Sequence, residues 1–225
     1  MSNLLRAEEK TFQGILHTYE VIWIGEIHGI RENYRAYTIL LPHLIRNGFK
    51  NIAWEMRSDF SEKSEYSEDG RINPFSIDFL KWLNSQTHSQ NIERVSLFGT
   101  VGTEKNPHRE VDYEERMAEQ LLAIVGNAKS VVITGNYHMK SLSDKEAEVK
   151  SASDYVAEKS SLKILKIEMK YAGGTFYNYG VKELSKKLFS TEKTDLEFGT
   201  MTEHDGVLFF HVGEAHAVFR NPTTT

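Results

Sequence analysis

Short apolar runs recur along the chain, and each is followed by a turn and then by a stretch with helical spacing. The runs cover 21–25 (VIWIG), 51–54 (NIAW), 95–98 (VSLF), 131–134 (VVIT) and 162–169 (LKILKIEM). The first four are short, continuously apolar and rich in β-branched or aromatic residues, as strands covered on both faces are. The fifth alternates, which brings one of its faces nearer to solvent.

The intervening stretches read as amphipathic helices. Residues 32–47 set Tyr34, Tyr37, Leu40, Leu41 and Leu44 near helical spacing and stop at Asn47-Gly48, with Pro42 a candidate kink or break. Residues 74–83 form a shorter helix with Phe75, Phe79 and Trp82 inward. Asp112 caps 112–124, with Glu115 three residues on and Met117, Leu121 and Leu122 at helical spacing. Residues 144–159 are a further helix, and about 3–18 an N-terminal one. Strand then helix, repeated four times, predicts an α/β fold with a mostly parallel sheet flanked by helices. The last third changes character: 173–180, 206–212 and 215–219 read as strands joined by turns, adding antiparallel edges. Polar segments 59–73 and 99–110 are loops after the second and third strands. The expected organisation is one domain over 1–225, with the core in about 20–170 and a strand extension over about 171–219.

Composition narrows the function classes. A formal net charge of −5 with interspersed basic residues gives no stripe for nucleic acid or an anionic membrane. No cysteine is present, which excludes a disulfide framework, a thiolate nucleophile and thiolate-bound zinc. The first twenty residues resemble neither a secretory nor a transit signal, and no apolar run reaches membrane-spanning length, so a cytoplasmic protein is expected. The expected partner is a small molecule.

In open parallel sheets ligands bind beyond the carboxyl ends of the strands. The first strand delivers Gly25-Glu26-Ile27-His28 there, the second Glu55-Met56-Arg57, and the fourth Gly135-Asn136-Tyr137-His138. Two carboxylates and two imidazoles thus meet at one rim, and Gly25 and Gly135 leave room for a turn or a ligand. Histidine can take a proton near neutral pH while a carboxylate orients it, which suits water activation. Glu26, His28 and His138 could alternatively bind a divalent metal. Arg116 could supply fixed positive charge to a developing oxyanion. Arg57, Asn136 and Tyr137 are candidate substrate contacts. Taken singly each has a plainer role: a strand-end histidine as a structural hydrogen-bonder, Glu55 as a cap or partner of Arg57, Arg116 as a solvated helix residue. His17, His43, His88 and His108 read as surface or packing residues, and a metal site among His204, His211 and His216 is not expected.

The strings IGEIHGIRENYRAY, WEM, YEERMAEQL and VVITGNYHMK together resemble the erythromycin esterase, ChaN and Tiki superfamily. That group carries a GExH-type motif after its first strand and a GxxH-type motif after a later one, with a glutamate and an arginine between them. The motifs fall here on Gly25, Glu26 and His28, and on Gly135, Asn136 and His138. The intervening pair best matches Glu55 and Arg116, and Asp205 in HDGVLFF takes the usual acidic place near the end. The resemblance spans roughly 15–215 and implies an α/β fold whose motifs share one pocket. It implies divergent activities: ester hydrolysis by histidine-activated water, metal-dependent proteolysis, or haem binding. The chain is short for the helical additions of a macrolide cleft, and it lacks a lipid-anchoring cysteine and a transmembrane anchor.

The expectation is therefore a small hydrolase acting on an ester, lactone or amide. His28 is the base, Glu26 orients it, Glu55 positions the proton, and His138 and Arg116 stabilise the oxyanion. A manganese, cobalt or zinc hydrolase is the close variant. A haem- or metal-binding protein without hydrolytic activity is the alternative, and a partner-binding domain with a degenerate pocket a third.

Overall fold

The structure, a computed structural model, describes residues 14–99, 113–139, 150–184, 198–204 and 206–219. Its strands are β1 (Val21–Glu26), β2 (Asn51–Glu55), β3 (Arg94–Phe98), β4 (Ser130–Gly135), β5 (Ile164–Tyr177), β6 (Val181–Glu183), β7 (Met201–His204) and β8 (Val207–Ala215). They form one sheet in the order β3-β2-β4-β1-β5-β8-β7, with β6 paired to β5. The helices are α1 (Arg31–Arg46), α2 (Pro74–His88), α3 (Tyr113–Val125) and α4 (Ala152–Lys159).

Alternation along β1 sends Ile22 and Ile24 to one face, where they pack with α1 and α2, and Val21 and Trp23 to the other, with α3 and α4. The α/β reading holds, because strands buried on both faces need helices on both sides. β1, β2 and β4 are buried throughout. β3, read from sequence as a strand covered on both faces, lies instead at the sheet edge and is partly exposed along most of its length. α1 runs unbroken through Pro42.

The C-terminal third adds the expected antiparallel edges, though with other strand bounds than the sequence suggested. β5 continues to Tyr177 through register shifts between Lys170 and Gly173, so 173–177 is its extension. β8 lies parallel to β5, and the antiparallel pairs are β7–β8 and β5–β6. Residues 215–219 do not form a strand of their own; Ala217 makes an isolated bridge to Ile30. Asp112, Asp205, His108, and most of the expected loop 99–110 and of the N-terminal helix lie outside the described residues, as do residues 144–149 of the helix expected over 144–159, which begins at Ala152. Among the described residues no helix is long and apolar enough to cross a membrane.

Two neighbouring strands matter most. After β1 the chain leaves toward α1 on one face, and after β4 it leaves toward α4 on the other. Adjacent strands whose connections diverge open a crevice at their carboxyl ends.

Candidate functional site

The crevice between β1 and β4 holds the expected cluster, and the cluster straddles the end of the sheet. Glu26 points to the α1 side. Its Oε1 meets Nδ1 of His28 at 2.8 Å, and its Oε2 accepts from Nδ2 of Asn33 at 2.7 Å and from the Tyr37 hydroxyl. Glu55 shares the face of Ala53, on the α3 side, and is 1% exposed. Its Oε2 accepts from the Gly135 N–H at 2.9 Å, and its Oε1 stands 2.9 Å from Nη1 of Arg71. His138 is anchored by Nδ1 to Oε1 of Glu114 at 2.9 Å; the other Glu114 oxygen accepts the first N–H of α4, from Ala152, at 2.7 Å.

Both imidazoles therefore have Nδ1 held by a carboxylate and Nε2 turned toward Glu55, at 3.8 Å from His28 and 3.6 Å from His138. Their accessibility differs. The His28 side chain is 22% exposed and Arg71 27%, whereas His138 is 2% exposed. Solvent meets an imidazole and a guanidinium, with the three glutamates beneath.

Two glycines set the spacing of these exposed groups. Gly29 and Gly70, beside His28 and Arg71 in sequence, have φ of 77° and 76°. Both back onto the Tyr177 carbonyl, where an added Cβ would stand 1.9 and 2.8 Å from the oxygen. At Gly135 the space is filled by His28 itself, whose Nε2 would lie 3.0 Å from a Cβ, and at Gly25 by Asn136 and Met139. The room expected at these glycines for a ligand is thus taken up by the protein's own side chains.

The electrostatics follow from burial and pairing. Burial alone would raise the Glu55 carboxyl, but Arg71, His138, His28 and the Gly135 N–H together hold it well below the ordinary range. Burial opposes a charge on His138; Glu55 and Glu114 outweigh it, so its pKa is raised. Burial works against the Arg71 charge in the same way, and Glu55 and Asp69 outweigh it.

The other sequence-derived candidates lie elsewhere. Arg116 is exposed on α3; it follows Glu114 by two positions, about 200° around the helix, and so points in a different direction. Arg57 is exposed and forms a two-pronged pair with Asp59, at 2.9 and 2.5 Å. Tyr137 is exposed at the rim, with its ring edge-on to His138. Asn136 is buried against Gly25, its Oδ1 without a hydrogen-bond partner among the described residues. His211 and His216 are committed to Thr202 and Glu32.

Sequence reading missed Arg71, Glu114, Asn33, Tyr37 and Tyr171 as site residues. Glu114 lies on the apolar stripe of Met117, Leu121 and Val125, and Asn33 and Tyr37 lie on that of Leu40 and Leu44. A polar residue on a buried stripe is the signal that would have found them. Tyr171 likewise falls on the buried phase of β5. Arg71 has no periodicity to betray it. It is presented by a turn in which Asp69 accepts from the Ser67 hydroxyl and the Arg71 N–H, just ahead of the Asn73–Ser76 capping box of α2.

A divalent metal held by Glu26, His28 and His138 does not fit these donors. Both Glu26 oxygens are already engaged, and the carboxylate that faces both Nε2 atoms is paired with Arg71. Among the described residues no three His, Asp or Glu stand at metal-ligand spacing.

No family model matches the chain, and no curated protein matches it. Two solved structures are similar in fold. One is the type III effector HopBA1, 14% identical with a TM-score of 0.44, over 92% of this chain and 93% of that one. The other is ChaN of Campylobacter jejuni, a structure with cofacially bound haem, 12% identical with a TM-score of 0.36, over 78% and 92%.

Proposed function

We propose that the chain is a hydrolase in which His28 activates water against an ester, lactone or amide. One observation carries the reading: a partly exposed imidazole whose Nδ1 is fixed by a buried carboxylate, 2.8 Å away, beside a partly exposed arginine. A carboxylate on Nδ1 leaves the Nε2 lone pair free and stabilises the imidazolium formed when that nitrogen takes a proton.

Water at Nε2 of His28 gives up a proton as its oxygen bonds to the carbonyl carbon. The carbonyl electron pair moves to oxygen, and the unfilled donors of Arg71 stabilise that oxyanion. Collapse expels the alkoxide or amine, which takes the proton back from His28. Arg71 thus takes the part that resemblance gave to Arg116. His138 is buried and works as fixed charge beneath Glu55, which keeps Arg71 in place.

The test is a screen of small soluble esters, lactones and amides with wild type, His28→Ala and Glu26→Gln, after exhaustive dialysis against chelator. A general base contributes about 10²–10⁴-fold, so His28→Ala should lose at least about 10²-fold on any substrate found. Wild-type rates in both variants would overturn the reading. Activity lost to chelator and restored by manganese, cobalt or zinc would replace it with metal-assisted hydrolysis.

A further inference from the structure

Beneath His28 lies a buried hydrogen-bonded chain longer than water activation by a Glu–His pair requires. Asn33 donates through Nδ2 to Glu26 Oε2 at 2.7 Å and to the Ile27 carbonyl at 2.8 Å. Its Oδ1 accepts from the Tyr171 hydroxyl at 2.6 Å, and that hydroxyl oxygen accepts from the Ile27 N–H at 3.4 Å. Tyr37 donates to the same Glu26 oxygen. Asn33 and Tyr37 come from α1, and Tyr171 from β5.

The proton count through this chain has one solution. Burial, and then the charge on Glu26, push both phenols well above their usual range, so each keeps its proton and can donate it once. The Tyr171 proton goes to Asn33 Oδ1, in keeping with an amide nitrogen that faces Glu26 and the Ile27 carbonyl. Two donors then fill Glu26 Oε2. Oε1 is left to accept from His28, which places the neutral-ring proton on Nδ1 and the lone pair on Nε2. Without the Tyr171 hydroxyl, Asn33 Oδ1 loses its donor and the amide is held less firmly against Glu26 Oε2.

A buried polar chain of this length is costly unless every member is satisfied, and apolar residues of similar volume would pack the site more simply. What the chain adds is direction. We propose that Tyr171 is a positioning residue that acts through Asn33 and Glu26 to fix the tautomer and ring orientation of His28. The importance of that tautomer rests on His28 being the base, but the tautomer itself is observable without any substrate.

The test uses ¹⁵N-labelled full-length chain and long-range ¹H–¹⁵N spectra of the histidine rings, with His28 assigned by loss of its signals in His28→Gln. Wild type should show a protonated Nδ1 and an unprotonated Nε2, with slow solvent exchange of the Nδ1 proton. Tyr171→Phe keeps the ring and removes the hydroxyl. It should give mixed tautomers and exchange at least about tenfold faster, roughly the worth of one hydrogen bond. Tyr34→Phe is the control, since its hydroxyl accepts from Asn73, outside the chain, and it should leave the His28 signals unchanged. If Tyr171→Phe loses the dispersed amide spectrum of the folded chain, Asn33→Ser breaks the same link from the other side and is read in its place. Unchanged His28 signals in a folded variant, or an Nε2-protonated ring in wild type, overturn the proposal. An inactive wild type with the expected ring signature would remove the hydrolase reading and leave this one standing.

Discussion

Nε2 of His28 and Nε2 of His138 face the two oxygens of one carboxylate, Glu55, at 3.8 and 3.6 Å. With Arg71 2.9 Å from Oε1, that carboxylate is the counter-charge for Arg71 and His138. Glu55→Gln keeps the shape and removes the charge, leaving Arg71 and His138 under-compensated. Breaking a buried pair by removing one partner costs about 3–5 kcal/mol. The lower end applies here, because Arg71 is partly exposed. Urea unfolding should report a loss near 3 kcal/mol; a loss under about 1 kcal/mol would mean that the cluster does not depend on the Glu55 charge.

The raised pKa of His138 makes a prediction about pH. A group whose folded-state pKa lies above its unfolded value binds its proton more tightly when folded. Its stabilisation is complete below the unfolded value, about 6.5 for histidine, and fades as pH climbs through the folded one. The stability advantage of wild type over His138→Gln should therefore be largest in mildly acid solution and shrink toward alkaline pH. Glu114→Gln removes one of the charges that raise the pKa, so in that background the decline should begin at lower pH. An advantage that grows with pH would mean that His138 is held neutral.

Much of this arrangement was legible in the sequence. Glu26, His28, Glu55 and His138 stand at the ends of short apolar runs, and parallel strands deliver their carboxyl ends to one rim. Asn33, Tyr37, Glu114 and Tyr171 were less legible, because they sit on helix stripes and on β5, where their spacing marks them as core. Glu114 and Arg116 illustrate the difficulty. They are two positions apart in one helix, and only the stripe formed with Met117 and Leu121 distinguishes the one that turns inward. Arg71 was out of reach, since a loop has no period and its position depends on Gly70 meeting the Tyr177 carbonyl from a distant strand. The parallel pairing of β8 with β5 was hidden for a similar reason, as strand direction is a tertiary choice.

The two arginines provide a direct comparison. Arg71→Ala removes the guanidinium that faces Glu55, and should destabilise the fold while lowering hydrolysis by about 10²-fold or more, the worth of one oxyanion donor. Arg116→Ala changes an exposed helix position and should stay within about 0.5 kcal/mol of wild type, with rates unchanged. Parallel kinetics and urea titrations of the two variants check this. Loss of activity in Arg116→Ala with Arg71→Ala unaffected would restore the assignment made from resemblance.

Gly135 offers the sharpest separation of stability from chemistry. Its φ of −59° and ψ of 144° suit any residue, so alanine meets no backbone penalty, and the N–H that serves Glu55 is retained. The new methyl group would stand 3.0 Å from Nε2 of His28 and 3.7 Å from Cδ2 of His138, between the two imidazoles. His28 is partly exposed and can give way at the expense of its bond to Glu26, so Gly135→Ala should cost about 1 kcal/mol, the worth of one hydrogen bond. Its hydrolytic rate should nevertheless fall by about 10²-fold, as in His28→Ala, because the displaced ring no longer holds Nε2 where it takes the proton from water. Gly25→Ala is the counterpart on the other face. There the methyl group would meet Asn136 Oδ1 at 2.6 Å and Met139 Cε at 2.8 Å, inside the core. Overpacking of that kind costs about 1–3 kcal/mol, so this variant should unfold earlier yet retain its rate per folded molecule. Measuring kcat/KM beside the denaturation midpoint for both variants separates the effects. If Gly135→Ala keeps full activity, Nε2 of His28 is not where the reaction takes place.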